Sequence, residues 1–282
     1  MKCDWQAFIK LIPPWMHKKV DEYGKEKLQE LHLRIGQPPQ LVVGNESIYL
    51  DRNVNDADLK LCLNAGSQYS PWSSATVSNG YITAQGGHRI GICGTMAIVD
   101  GKIQTVRNIT SLCIRVSRDL PGIASRAANI EGSVLIIGSP GRGKTTLLRD
   151  LIRQKSEESS NTIAVVDERC EIFPFSHGAF GFSTGVHTDV LSGTAKADGI
   201  EIVIRTMSPT HVAVDEITAM EDCKAIVQAN GCGVSILATA HAADMTDLKN
   251  RPVYQPILDA GIFQNIIIMQ PDKSWKLERM NV

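Results

Sequence analysis

The chain has 282 residues, more than one ordinary domain holds, which predicts two domains that each bury a core. Hydrophobic residues make up 43% and charged residues 21%, and 29 basic against 30 acidic side chains leave a net charge of −1, so no general electrostatic pull on nucleic acid is expected. No apolar run approaches the roughly 18 residues of a membrane-spanning helix, and the seven scattered cysteines contain no C-x-x-C pair; direct membrane insertion, a disulfide framework and a zinc site are all unexpected, and a reducing cytoplasm suits the chain.

Trp5, Phe8, Ile9 and Ile12 recur at helical spacing until Pro13 and Pro14 interrupt them, and the stripe reads as a core-packed helix. From Leu31 to about Val116 the pattern changes to short alternating runs such as "LHLRI", "QLVVGNESIYL" and "YITAQGGHRIGICGTMAIVDGKIQTV". These predict strands and hairpins, with Asp100-Gly101 as a two-residue turn and the glycines at 86, 87, 91 and 94 as turns and bulges. A smaller α+β N-terminal domain with an antiparallel sheet is therefore expected over 1–130. The polar stretch broken at Pro121-Gly122 leads to the boundary.

Over 131–282 strands and helices alternate. "SVLIIG", "TIAVVDE", "HVAVDEI", "GVSILATAH" and "NIIIMQ" read as buried strands, separated by helices from Lys144 to about Ser156, Thr194 to Met207 and Thr218 to Ala229. The last of these has a capping-box pattern at Thr218 and Glu221 and a stop at Gly231. Such alternation predicts a mostly parallel sheet flanked by helices.

Between the first of these strands and its helix stands Gly138-Ser139-Pro140-Gly141-Arg142-Gly143-Lys144-Thr145, a full match to G-x-x-x-x-G-K-[ST], followed by Thr146. A loop of this kind turns its N–H groups inward around phosphate, with the helix N-terminus behind it. Lys144 is placed to serve the terminal phosphates of ATP and the Thr145 hydroxyl to serve Mg²⁺. "HVAVDEI" then supplies Asp215 as a holder of the hydrated Mg²⁺ and Glu216 as the general base that polarises water. A second acidic set, Asp167 and Glu168 in "VVDERCE", ends another strand, and Glu168 competes for the base role unless it simply pairs with Arg169. Thr239 and His241 close the strand "ILATAH", where a hydroxyl and an imidazole can sense the terminal phosphate; His177 and His187 read as loop residues.

Taken in order, the P-loop, "VVDERCEI", "RTMSPTHVAVDEI" and "GCGVSILATAHAAD" resemble the Walker A, aspartate box, Walker B and histidine box of the type II and type IV secretion and pilus ATPases. The whole chain is similar to the stage III sporulation AA family of endospore-forming bacteria, with "LQELHLRIGQPPQL", "GGHRIGICG" and "VRNITSLCIRVSRD" carrying the likeness through the first half. The resemblance implies a RecA-like P-loop core, hydrolysis of ATP with Mg²⁺, and a homo-oligomeric ring of six subunits. It further implies a role in the mother cell, powering or gating a channel to the forespore, held at the forespore membrane through membrane proteins of the channel complex. Lys144, Thr145, Glu168, Asp215, Glu216 and His241 take the family's nucleotide positions. Arg89, Arg107, Arg115 and Arg205 are candidates to act across subunit borders, Arg205 foremost. Two positions depart from the family pattern: Arg142 inside the P-loop, where a small residue is usual, and His211, where an aspartate commonly stands. A ring scaffold that binds ATP with little turnover, and an ABC-like P-loop protein suggested by "LSGTA" at 191–195, are the alternatives.

Overall fold

The computed structural model describes residues 2–67, 80–99, 102–176 and 178–280. Its contacts divide the chain into two units, Met1–Asp119 with Pro174–Phe182, and Leu120–Phe173 with Ser183–Val282. Each has its own apolar core.

The first unit opens with helices α1 (Trp5–Lys10) and α2 (Pro14–Lys27). Pro13 lies between them and Pro14 is the first residue of α2, and the Asp4 side chain caps α1 by accepting from the Ala7 N–H. Strands β1 (Leu28–Arg34), β2 (Gln40–Val43) and β3 (Glu46–Tyr49), helix α3 (Asp56–Ser67), and strands β4 (Tyr81–Thr83), β5 (Arg89–Val99) and β6 (Lys102–Arg115) follow. Among the described residues the six strands form one antiparallel sheet in the order β3-β2-β1-β6-β5-β4. Leu31 and Leu33 alternate with Glu30, His32 and Arg34 along β1, so one face of the sheet is apolar core and the other polar. Hairpin β5–β6 brings Val99 opposite Lys102; Asp100 and Gly101, the expected turn, lie outside the described residues. A Cβ on Gly94 would lie 2.6 Å from the Arg107 carbonyl oxygen, which is why a glycine stands where the hairpin slips register. Helix α3 is absent from the sequence expectation; it forms because Leu59, Cys62 and Gly66 fall on one buried face.

The second unit contains β7 (Val134–Ile137), α4 (Lys144–Lys155) and β8 (Ile163–Asp167). Residues 120–130 belong to it because the Asp150 carboxylate accepts the Gly122 and Ala124 N–H groups and Lys155 Nζ donates to the Ile130 carbonyl. The small hairpin β9 (Phe175–Ser176) and β10 (Ala179–Phe180) belongs to the first unit, where a Cβ on Gly181 would sit 3.0 Å from the Gly87 nitrogen. The chain resumes in the second unit with β11 (Thr188–Ser192), α5 (Lys196–Met207), β12 (His211–Ile217), α6 (Met220–Gly231), β13 (Ser235–Ala240), α7 (Met245–Asn250), α8 (Gln255–Asp259), β14 (Asn265–Met269) and β15 (Trp275–Arg279). Its sheet runs β11-β8-β12-β13-β7-β14-β15, parallel except for β15. Strands β7, β8 and β14 are buried at every position, as a parallel sheet covered on both faces requires.

Helix α6 is capped otherwise than expected. The Asp222 carboxylate accepts the N–H groups of Thr218 and Ala219, and Glu221 takes no part. No helix among the described residues is long and apolar enough to cross a membrane.

His211 starts β12 at 8% exposure, with its Nδ1 3.0 Å from the Thr210 hydroxyl. Burial, reinforced by the charge of Lys155, pulls its pKa down to about 4. The unfolded chain then binds the extra proton between roughly pH 6.5 and 4, so stability is lost as pH falls through that window. His211 should account for about 2 kcal/mol of lost stability between pH 7 and pH 5. Urea unfolding of wild type and His211→Gln at the two pH values checks this; the variant should show the smaller loss.

Candidate nucleotide site

In the order β8-β12-β13-β7, the C-terminal ends of four parallel strands lie side by side, where sheets of this kind bind ligands. Each ends in one of the expected motifs. After β7 the loop turns through left-handed glycines, Gly141 at φ 75° and Gly143 at φ 90°, and Gly143 leads into α4. A Cβ on Gly138 would stand 2.8 Å from the Met269 Cβ of β14, so the loop's first residue has no room for a side chain. Ser139, Pro140 and Arg142 make up the rest of the turn, and Thr146 sits half-buried in the first turn of α4.

Lys144 is 7% exposed. Its amine donates to the carbonyls of Gly138 at 2.8 Å and Ser139 at 3.2 Å, and lies 3.1 Å from His241 Nδ1. Burial holds the amine below the usual lysine value, against the pull of Asp215 and Glu216 toward the charged form. Since Lys144 donates to Nδ1, the imidazole proton sits on Nε2, which donates to Glu216 Oε1. The second Glu216 oxygen accepts from Arg169 at 3.2 Å.

Asp215 is held from two sides. One carboxylate oxygen accepts from the Thr145 hydroxyl at 2.8 Å and the other from the buried Thr239 hydroxyl. The Thr239 oxygen also accepts the Glu216 N–H at 2.8 Å. Glu216 has φ 51°, left-handed for a residue with a Cβ, at the point where β12 slips register against β13. Such backbone costs on the order of 1 kcal/mol or more and turns the side chain out of the strand's alternation. The structure thus brings Lys144, Thr145, Asp215, Glu216, Thr239 and His241 into one hydrogen-bonded group.

The second acidic set divides. Asp167, 2% exposed, accepts the N–H groups of Glu171, Ile172 and Phe173 and so clasps the loop after β8. Burial pushes its carboxyl up, against those three donors. Glu168 pairs with Lys196, which is itself 6% exposed, and Arg169 pairs with Glu216, two pairings not expected from the sequence. Glu168, Arg169, Lys196, Asp215 and Glu216 line one small pocket.

The remaining candidates stand apart. Arg205 lies exposed in the last turn of α5, 3.3 Å from Glu201, on an open groove between α5 and α6. In the first unit, Arg89 lies over the Tyr81 ring, Arg115 pairs with Glu30, and Arg107 is exposed on β6. His187 Nδ1 lies 2.8 Å from the Ser156 carbonyl; His177 lies outside the described residues. Lys196 and Tyr254, whose hydroxyl accepts the His241 N–H, carry no sequence signal that would single them out.

Residues 14–277 match the family model described as sporulation stage III, protein AA. The chain belongs to that family. It is 34% identical over 270 residues to stage III sporulation protein AA of Bacillus subtilis (strain 168), covering 91% of this chain and 88% of that one. It is also 26% identical to the protein SEEDLING PLASTID DEVELOPMENT 1 of Arabidopsis thaliana, with 91% of this chain matching 36% of that protein's length. Among solved structures, the ATPase DotB of Legionella pneumophila superposes with a TM-score of 0.60 at 18% identity, covering 95% of this chain and 80% of that one. The pilus retraction motor PilT, solved with bound ADP, gives 0.62 at 15% identity, covering 94% and 83%. These likenesses establish that this family member shares the fold of the ATPase DotB and the pilus retraction motor PilT.

Proposed function

We propose that this member of the sporulation stage III AA family is a RecA-like, Mg²⁺-dependent ATPase that works as a ring of six and powers or gates a channel between mother cell and forespore. The observation that carries the reading is the group formed at one edge of the sheet by Lys144, Thr145, Asp215, Glu216 and His241. DotB is named an ATPase and PilT a motor with bound ADP, and the family is a sporulation family, which supports both the activity and the setting.

The residues present fit the ligands. Left-handed Gly141 and Gly143 leave the P-loop backbone open for phosphate oxygens, and the Thr145 hydroxyl and Asp215 carboxylate already meet, as a shared hold on a hydrated cation requires. Mg²⁺ there would neutralise charge on the phosphates. Lys144 would exchange its loop carbonyls for phosphate oxygens, and Glu216 would take the proton of the attacking water. His241, bonded to both, ties the phosphate-binding lysine to the base. Arg205, exposed on the face of α5, is proposed to reach a neighbouring copy. The ring is proposed to be cytoplasmic in the mother cell and to sit at the forespore membrane through membrane proteins.

The test is ATP hydrolysis by the purified protein across a range of protein concentrations, beside Lys144→Ala. Specific activity should rise steeply with concentration and vanish in the variant. ATP binding without turnover at any concentration would sink the motor reading in favour of a ring scaffold.

A further inference from the structure

The polar face of the first unit's sheet carries a second chemical constellation, built from residues to which no role has been given above except Arg115. Strands β1 and β6 are neighbours in the sheet, and their register sets His32 opposite Cys113 and Glu30 opposite Arg115. Because Leu31, Leu33, Leu112 and Ile114 point into the core, Glu30, His32 and Cys113 all project from the other face. One carboxylate oxygen, one imidazole nitrogen and one sulfur lie within 4.8 Å of one another. Glu30 Oε2 is 2.9 Å from His32 Nε2, and Cys113 Sγ is 3.8 Å from each.

We infer that Glu30, His32 and Cys113 form a binding site for a zinc-like divalent transition metal, with a fourth position left open for water or an incoming ligand. With zinc bond lengths of about 2.3 Å to sulfur and 2.0–2.2 Å to nitrogen and oxygen, tetrahedral angles separate sulfur from its co-ligands by about 3.5 Å and nitrogen from oxygen by about 3.3 Å. The separations in the protein are already close to these. Thiolate, imidazole and carboxylate together select zinc or cobalt over Mg²⁺ and Ca²⁺, which take oxygen ligands.

Two further features suit the site. Arg115 Nε donates to Glu30 Oε1 at 3.1 Å, which orients the carboxylate and leaves Oε2 directed at His32 and Cys113. Opposite Cys113 on β5 stands Gly91, so that neighbouring position puts no side chain over the thiol. Unlike a loop site, all three ligands ride on paired strands and are held in place before a metal arrives.

The experiment is titration of the chelator-stripped, full-length protein with Co²⁺ and Zn²⁺, read by absorption and by competition with a chromophoric chelator. Co²⁺ should bind in one equivalent with a sulfur-to-cobalt charge-transfer band in the near ultraviolet, and Zn²⁺ should displace it. Cys113→Ser and His32→Ala should each abolish the band, while Cys93→Ser, exposed on β5, should keep it. Circular dichroism of each variant reports folding, and the near-isosteric Glu30→Gln, expected to weaken Zn²⁺ at least about tenfold, gives an independent arm. Cobalt held at Thr145 and Asp215, an all-oxygen site, would show no such band. Failure of wild type to bind stoichiometrically, or a band that persists in folded Cys113→Ser, would overturn the inference.

Discussion

Glu216→Gln should slow ATP turnover by about 10²–10⁴-fold, the range for loss of a positioned general base, while ATP binding persists. The amide keeps the shape of the side chain and removes its ability to take a proton. The expectation rests on placement: Glu216 is joined through His241 to Lys144, and its own N–H shares the Thr239 hydroxyl that holds Asp215. Glu168→Gln should change turnover much less, because the Glu168 carboxylate is occupied by the buried Lys196. Single-turnover hydrolysis and equilibrium binding of a labelled nucleotide, run on both variants, decide the matter. If Glu168→Gln stops hydrolysis while Glu216→Gln continues, the base is Glu168.

Asp167→Ala should lower the free energy of unfolding of the second unit by about 3 kcal/mol, since it strands three largely buried backbone N–H groups that cost roughly 1–3 kcal/mol each, offset by partial relaxation of the loop. Glu171 donates to one carboxylate oxygen, and Ile172 and Phe173 share the other. Asp167→Asn keeps an acceptor for one side of this clasp and should cost less than the alanine change. Urea unfolding followed by circular dichroism gives both values. Equal stability of wild type and Asp167→Ala would mean that the turn after β8 is held without the carboxylate, by contacts that include Arg149, which donates to the carbonyls of Glu171 and Ile172.

The second unit was the more legible part of the chain because its signals are local. A fully apolar run, a glycine loop and a helix follow one another in sequence, and the observed strand His211–Ile217 is the segment quoted from the sequence. The polar ends of those strands could be named in advance, but not their partners. Pairing of Glu168 with Lys196 joins residues 28 apart, and pairing of Arg169 with Glu216 residues 47 apart, distances over which side-chain choice follows from strand order alone. Edge strand β11 and helix α3 were missed because Thr188–Ser192 alternates weakly and Asp56–Ser67 is flanked by strand-like text. The Glu30, His32 and Cys113 cluster was invisible for the same reason on a larger scale. Cysteine arithmetic looks for close spacing, whereas here a thiol and an imidazole 81 residues apart meet through strand register.

The hairpin at 174–182 sets an order of events at the ribosome. The first unit is complete only when a segment encoded well beyond it has been made, so the N-terminal sheet emerges from the exit tunnel with the surface around Gly86 and Gly87 still waiting for Pro174, Gly181 and Phe182. By then the P-loop helix and two strands of the second unit have also been synthesised. The usual sequence, in which an N-terminal domain finishes before its successor begins, is closed to this protein. The first unit's contacts are completed only after Leu120–Phe173 of the second unit has been made, and cutting the gene at residue 119 yields an N-terminal fragment that lacks a piece of its own fold.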